Sequence, residues 1–334
     1  MKLNRIILMC LLSGTMVLAG CSQAKTDKAV SGAPEQIEGY EADKETINAG
    51  SEDSENASDN SDNEEISDTD ITFDDEAEGT EVGGEFDFEH DYVTDIKADV
   101  DSAVASASSL KEELESIDKI EKKYEATFSK AENQAEMSAV AFWYYQIWDA
   151  ELNSLWSRFS DSADAETKER VLKGQRAWNS MKEEVILENL GPRDEGGSIY
   201  PQLENSLLEE FTKNRCYIIA VELGKIKGEN VTMPERSEYG TYVDDQESGS
   251  VCSSLVTSLG WENDNVAKIS IFRLGETEGN FTSKGNGELA YTSYEGDVEG
   301  IIRLNGWDGA SFEVTKSDGS PFTVGDKYEF NFVF

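Results

Sequence analysis

Apolar residues recur at spacings of three and four from residue 110 onward. Leu110, Leu114, Ile117, Ile120 and Tyr124 mark a first amphipathic helix. A second spans about 131–159, with Val140, Trp143, Tyr144, Ile147, Trp148, Leu152, Leu155, Trp156 and Phe159 on one broad face. Residues 160–164 read as a break, with Asp164 or Thr167 as the cap of a third helix that stops at Gly191-Pro192. Gly196-Gly197 is a loop, and a fourth helix runs from Pro201 to about Leu223. Short connections between them predict an antiparallel helical bundle. After Gly228 the period becomes two. Val266–Leu274, Glu288–Tyr294, Val298–Leu304, Ala310–Thr315 and Lys327–Phe334 read as strands with Gly, Asn and Asp between them. Tyr328, Phe330, Phe332 and Phe334 alternate cleanly. The expectation is a separate small antiparallel β-sandwich or barrel over 229–334, following a helical domain over 102–228.

The N-terminal third has neither period. Lys2 and Arg5 precede an apolar run, Ile6 to Leu12, and small residues follow, the pattern of a signal peptide over residues 1–20. Leu18-Ala19-Gly20-Cys21 resembles the bacterial lipobox, which implies acylation of Cys21 and anchoring in membrane lipid on the extracellular face of a bacterial cell. A plain secretory signal or an uncleaved anchor is the alternative. From Ser22 to Asp101 the chain has 27 acidic residues and four lysines. Few apolar side chains interrupt them, so 21–101 reads as a lipidated cysteine followed by a disordered acidic tether. As a coil it would span roughly 50 Å, and fully stretched about 270 Å. The alternative within it is that Phe73, Phe86, Phe88 and Tyr92 form a short docking motif.

Charge and rare residues narrow the chemistry. A formal charge of -40 opposes binding to nucleic acid, because counterion release needs cationic side chains. The net charge after residue 101 is -19, compatible with a cationic partner. The single histidine, His90, lies in the acidic segment, away from any Ser-His-Asp, Cys-His or multi-histidine metal arrangement in the folded part. Neither a cofactor nor a metal ion is implied, and the chain is not read as an enzyme. Carboxylate pairs able to hydrolyse glycosides arise by chance among 42 acids. Cys216 and Cys252 either form an exported disulfide or stay as two thiols; their apolar settings favour thiols.

Four segments, in order, carry a resemblance. Trp148 to Trp156 resembles the DxELNxxY helix of the lysozyme-inhibitor LprI-like domain. Gly174 to Trp178 resembles its AQRAW signature, Gly196 to Pro201 its GGSI loop, and Leu208 to Leu223 its closing LTxxRxxxL helix. Family members commonly carry cysteines near the positions of Ile186 and Leu207, and Lys182 and Trp156 also depart from the usual residues. The resemblance covers about 130–225 and implies a helical fold and a partner of the lysozyme type, which is often cationic. The function expected is a lipid-anchored surface binding protein that occludes such a muramidase. The alternative is a non-enzymatic envelope module that recognises wall glycan or a protein through the β domain.

The candidate contact residues are Asp149, Gln175, Trp178, Arg193, Asp194, Glu195 and Trp307. Each has a plainer reading. Tryptophans at helical spacing usually fill a core. Gln175 suits a hydrogen bond to a neighbouring helix, and Arg215 an ion pair with Asp149 or Glu151. The loop 191–197 can be a tight helix connection. Trp261 and Trp307 can stack on sugar rings, or pack over a small β core.

Overall fold

A computed structural model describes residues 86–334 with the exception of Trp261. The signal segment, Cys21, Phe73 and the tether up to residue 85 lie outside the described residues, as does Trp261. The chain forms five helices and then nine strands: α1 Tyr92–Ser106, α2 Leu110–Phe128, α3 Gln134–Ser162, α4 Ala165–Leu190 and α5 Tyr200–Lys227. The strands are β1 Gly240–Asp244, β2 Ser253–Leu259, β3 Asn265–Ile271, β4 Gly275–Gly285, β5 Glu288–Ser293, β6 Val298–Leu304, β7 Ala310–Ser317, β8 Lys327–Phe330 and β9 Phe332–Val333.

Helix α1 corrects the expected tether. Residues 86–101 are folded, because Tyr92, Ile96 and Val100 stand four apart and are buried. Burying Ile96 and Val100 is worth about 2 kcal/mol each. The Asp91 side chain caps the helix by accepting from the Thr94 N–H at 3.1 Å. Three apolar side chains among many acids leave no mark on average composition, yet they suffice for one buried stripe. Phe86, Phe88 and Tyr92 all pack on Trp143, at centroid distances of 6.1, 6.5 and 4.6 Å. Three of the four aromatic residues singled out in the tether, Phe86, Phe88 and Tyr92, therefore dock on the chain's own α3. His90 lies exposed at the start of α1, with Nε2 2.7 Å from Asp95.

The other four helices follow the expected pattern, and successive helices run in opposite directions. Helices α3 and α5 consequently run parallel and share the longest contact. Gln134 bonds Gln202 near one end, and the Cys216 thiol donates to the Trp148 carbonyl 14 residues further along. Asp164 caps α4 by accepting from the N–H groups of Glu166 and Thr167. Ile186 and Leu207, at the positions where the resemblance places cysteines, are both buried in the helical core. Cys216 and Cys252 are free thiols, the first buried and the second half-buried.

The sheet is an antiparallel meander in the order β8-β7-β6-β5-β4-β3-β2-β1-β9. Its two outermost members are halves of one C-terminal segment, interrupted at Asn331. β8 pairs with β7 and β9 pairs with β1, so the sheet curls into a nearly closed barrel. Tyr242, Leu255, Ile269, Leu289, Tyr291, Ile302, Phe312 and Phe330 fill the interior, as expected for a barrel of this strand number. At Gly300 a Cβ would stand 2.2 Å from the Phe312 ring, so only glycine lets that ring lie flat against β6.

The sequence left open whether helices and barrel touch; they share a core. Phe334, buried at 1 % exposure, stacks on Trp178 at 6.4 Å and meets Phe211 edge-on at 5.3 Å. The Phe334 main chain donates to the Thr241 carbonyl at 3.0 Å, and its oxygen accepts from Asn214 at 3.2 Å and Arg236 at 3.1 Å. Helix α4 lies across the first hairpin: Ser180 donates to the Gly249 carbonyl at 2.6 Å, Ser254 to Glu188 at 3.0 Å, and Thr241 to Asn189 at 3.0 Å. Phe334→Ala is expected to cost about 3 kcal/mol, as for other buried aromatics. Phe272→Ala, at 56 % exposure, should cost less than about 1 kcal/mol. Urea denaturation of the two variants checks this; equal losses would remove the anchoring role of Phe334.

Candidate functional site

The helical signature segments divide between a buried seam and an open groove. On α3 the stretch Asp149–Asn153 straddles the helix surface, because residues one apart point about 100° apart. Glu151 and Leu152 face inward and are buried, whereas Asp149 is half-buried and Asn153 exposed. Asp149 and Asn153 line a groove of about 400 Å³ between α1 and α3, together with Val93, Lys97, Asp101 and Arg158. Two side chains fix the Asp149 carboxylate: the Tyr145 hydroxyl donates to it at 3.1 Å and the Asn153 amide at 3.0 Å. Burial and the Asp149 charge together push the Tyr145 hydroxyl well above its ordinary pKa. Lys97 is paired with Asp101 at 2.8 Å on the opposite wall. The groove thus presents acceptors and one guanidinium on a rigid pair of helices.

Arg158 links this groove to the core. Its guanidinium makes a two-pronged ion pair with Glu113 of α2, and it stands 3.8 Å from Glu151. Glu151 is fully buried, and neither of its carboxyl oxygens has a hydrogen-bond partner. One cation therefore faces two carboxyls. Glu113 takes the ion pair, and burial, reinforced by the Glu113 charge, holds Glu151 protonated far above the ordinary carboxylate range. Neither acid was singled out from sequence, although a signal exists. Glu113 follows Leu110 by three, and Glu151 follows Trp148 by three and precedes Leu155 by four, so both acids fall on apolar stripes.

The α4 signature serves the seam. Gln175 is buried and its Oε1 accepts from Arg215 Nε at 2.7 Å. The expected ion pair of Arg215 with Asp149 or Glu151 is not formed. Arg215 projects from α5 toward α4, where it lies beside Gly174; a Cβ there would stand 3.5 Å from its Nη2, an ordinary packing distance. Burial lowers the Arg215 pKa to about 10. Trp178 is buried beneath Phe334, and Lys182 lies over its ring at 4.6 Å. Of the other α3 tryptophans, Trp143 and Trp148 are buried and Trp156 packs on Phe159 at 5.6 Å.

Arg193, Asp194 and Glu195 are exposed on the α4–α5 connection. Arg193 lies 3.4 Å from Glu204 and over the Tyr200 ring, and the Tyr200 hydroxyl donates to the Gly191 carbonyl. Gly196 is required because a Cβ would be 2.2 Å from that ring. Trp307 is half-buried, with its indole N–H donating to Pro234 at 2.9 Å. The candidates do not converge. Asp149 lines the groove, Gln175 and Trp178 build the seam, 193–195 form a separate loop, and Trp307 clamps the linker between the two halves. Among the described residues, no group of three or more His, Cys, Asp or Glu is placed to hold a metal ion.

Residues 125–218 match the family model of the lysozyme inhibitor LprI. The match runs from the end of α2 through α3 and α4 into α5, and covers the α3 wall of the groove, the Gln175–Arg215 bond and the 193–195 loop, whereas the α1 wall of the groove lies outside it. No curated protein and no solved structure matches the chain.

Glu151→Gln keeps the shape and removes the titration. The Glu151 carboxyl is neutral in the fold and free to ionise above its ordinary value of 4.5 once unfolded. Its contribution is therefore complete below about that pH and is lost as pH rises toward the elevated folded value. The glutamine variant should gain on the native chain as pH rises from 5 to 8, by at most about 1.4 kcal/mol per pH unit. Chemical denaturation across that range measures it. A difference that does not change with pH would show that Glu151 is charged in the fold.

Proposed function

We propose, on the premise that residues 125–218 form a lysozyme inhibitor LprI domain, that the protein binds a lysozyme-type muramidase and blocks it by occlusion. The family match is the observation that carries this reading. The α1–α3 groove is the face we assign to the contact, because the signature segment that ends at Trp178 packs beneath Phe334 of the chain's own barrel. In the groove, Asp149 and Asp101 offer carboxylates to a basic partner, and Asn153 and Arg158 supply hydrogen bonds that set its register. The net -19 of residues 102–334 accelerates encounter with a cationic enzyme and loses that advantage as salt screens it. Acylation at Cys21, proposed from the lipobox, would hold the inhibitor on the outer face of the cell membrane where such an enzyme arrives.

The chain lacking residues 1–21 is expected to inhibit a cationic lysozyme at low ionic strength, less strongly as salt increases. The double variant Asp101→Lys/Asp149→Lys should weaken inhibition about tenfold or more, as for paired interfacial charges. Turnover of labelled cell wall at several salt concentrations is the measurement. Absence of inhibition at every salt concentration would sink the proposal; full inhibition by the double variant would remove the groove from it.

A further inference from the structure

A second cleft lies where α5, the linker between α5 and β1, and the Gly306–Asp308 turn of the barrel meet. It has a volume of about 270 Å³, and its walls include Glu210, Asn214 and Tyr217 from α5, Arg236 and Tyr239 from the linker, and Trp307. The cleft is built rather than incidental. Arg236 is clamped between two rings, 4.6 Å from the Trp307 centroid and 5.3 Å from that of Tyr242, and donates to the Phe334 oxygen. Trp307 is fixed through its bond to Pro234, and Tyr239 through its hydroxyl bond to Asn265 at 2.8 Å. Tyr239 nevertheless leaves 37 % of its surface open.

The polar groups here are under-used. Arg236 Nε is buried without a hydrogen-bond partner and is closed off from the cleft, and the unpartnered Tyr242 hydroxyl lies behind it in the barrel interior. Glu210 has one charge acting on it among the described residues, that of Arg236, and burial raises its pKa against that pull. Lys213, although on the wall, is committed elsewhere: it pairs with Asp118 at 2.6 Å and lies over the Trp148 ring.

These features select a ligand class. A simple anion would meet the carboxylates of Glu210 and Glu235, and a simple cation would meet the Arg236 guanidinium. An apolar ligand would leave Glu210 unsatisfied. What fits is an uncharged, compact ring carrying both donors and acceptors, with a C–H face to lay on an aromatic side chain. We propose that this cleft binds one unit of a neutral saccharide. Ring hydroxyls donate to the Glu210 carboxylate in charge-assisted bonds, and the Tyr239 ring carries the apolar face. This inference does not rest on the muramidase reading, since the cleft and the α1–α3 groove share no residue.

The test is calorimetric titration of the chain lacking residues 1–21 with chitotriose, cellotriose and maltotriose, and with trialanine as a peptide of similar length. At least one trisaccharide is expected to bind saturably, with a change in tryptophan fluorescence, and trialanine is not. Glu210→Gln, which preserves shape, and Tyr239→Ala should each weaken binding about tenfold. Asp149→Lys should leave it unchanged. Thermal melts establish that both cleft variants are folded. Absence of binding by all three saccharides, equal binding of trialanine, or binding unchanged in both cleft variants would overturn the proposal. Inhibition of lysozyme is read in a different assay, so either reading can fail without the other.

Discussion

Phe334 joins the barrel to the helical core. Its main chain is bonded to β1, where it extends the pairing that closes the barrel, and its ring fills the space between Trp178 of α4 and Phe211 of α5. Asn214 and Arg236 both donate to its oxygen. The barrel's last strand therefore also completes the helical bundle. Two of the sites discussed adjoin this joint. The Gln175–Arg215 bond lies beside it, and the cleft at Arg236 is walled by residues that hold it.

The second organising constraint is electrostatic. Arg158 carries one positive charge into a region with two carboxyls, and the protein resolves the mismatch by keeping Glu151 neutral. A neutral, unbonded carboxyl in a helical core is costly, and an amide or aliphatic residue would pack there with less penalty. Its place between Trp148 and Leu155, one turn from the groove that Arg158 also lines, ties the bundle's interior to the surface assigned to the partner.

Where apolar spacing is strong, the sequence reads directly into structure. Asp164 caps α4, and Gly191-Pro192 ends it. The segment 327–334 alternates as one strand should, but the alternation conceals that its halves pair with opposite edges of the sheet. Three strands escaped a period-two reading for physical reasons. β2, Ser253–Leu259, is buried along most of its length between the barrel interior and α4, so Ser and Thr occupy inward positions and no alternation survives. β4 buries only Thr277, Gly279 and Phe281, and its glycine is demanded by β5, whose Thr292 oxygen would stand 2.1 Å from a Cβ. β1 is a short edge-closing strand whose three central residues are all buried. The candidate contact residues were legible as residues but not as a site, because a helix surface and a helix core lie one or two positions apart in the chain. Asp149 and Glu151 illustrate this, and Arg215 shows that a buried guanidinium can be satisfied by an amide rather than an acid.

The aromatic contacts at the start of α1 also define a mechanical load path. Any pull transmitted along the preceding chain enters at Phe86 and Phe88, which rest on Trp143. Helix α1 supplies one wall of the α1–α3 groove, through Val93, Lys97 and Asp101, whereas the barrel is attached through α5 and Phe334. Displacing α1 would therefore open the groove without disturbing the sheet.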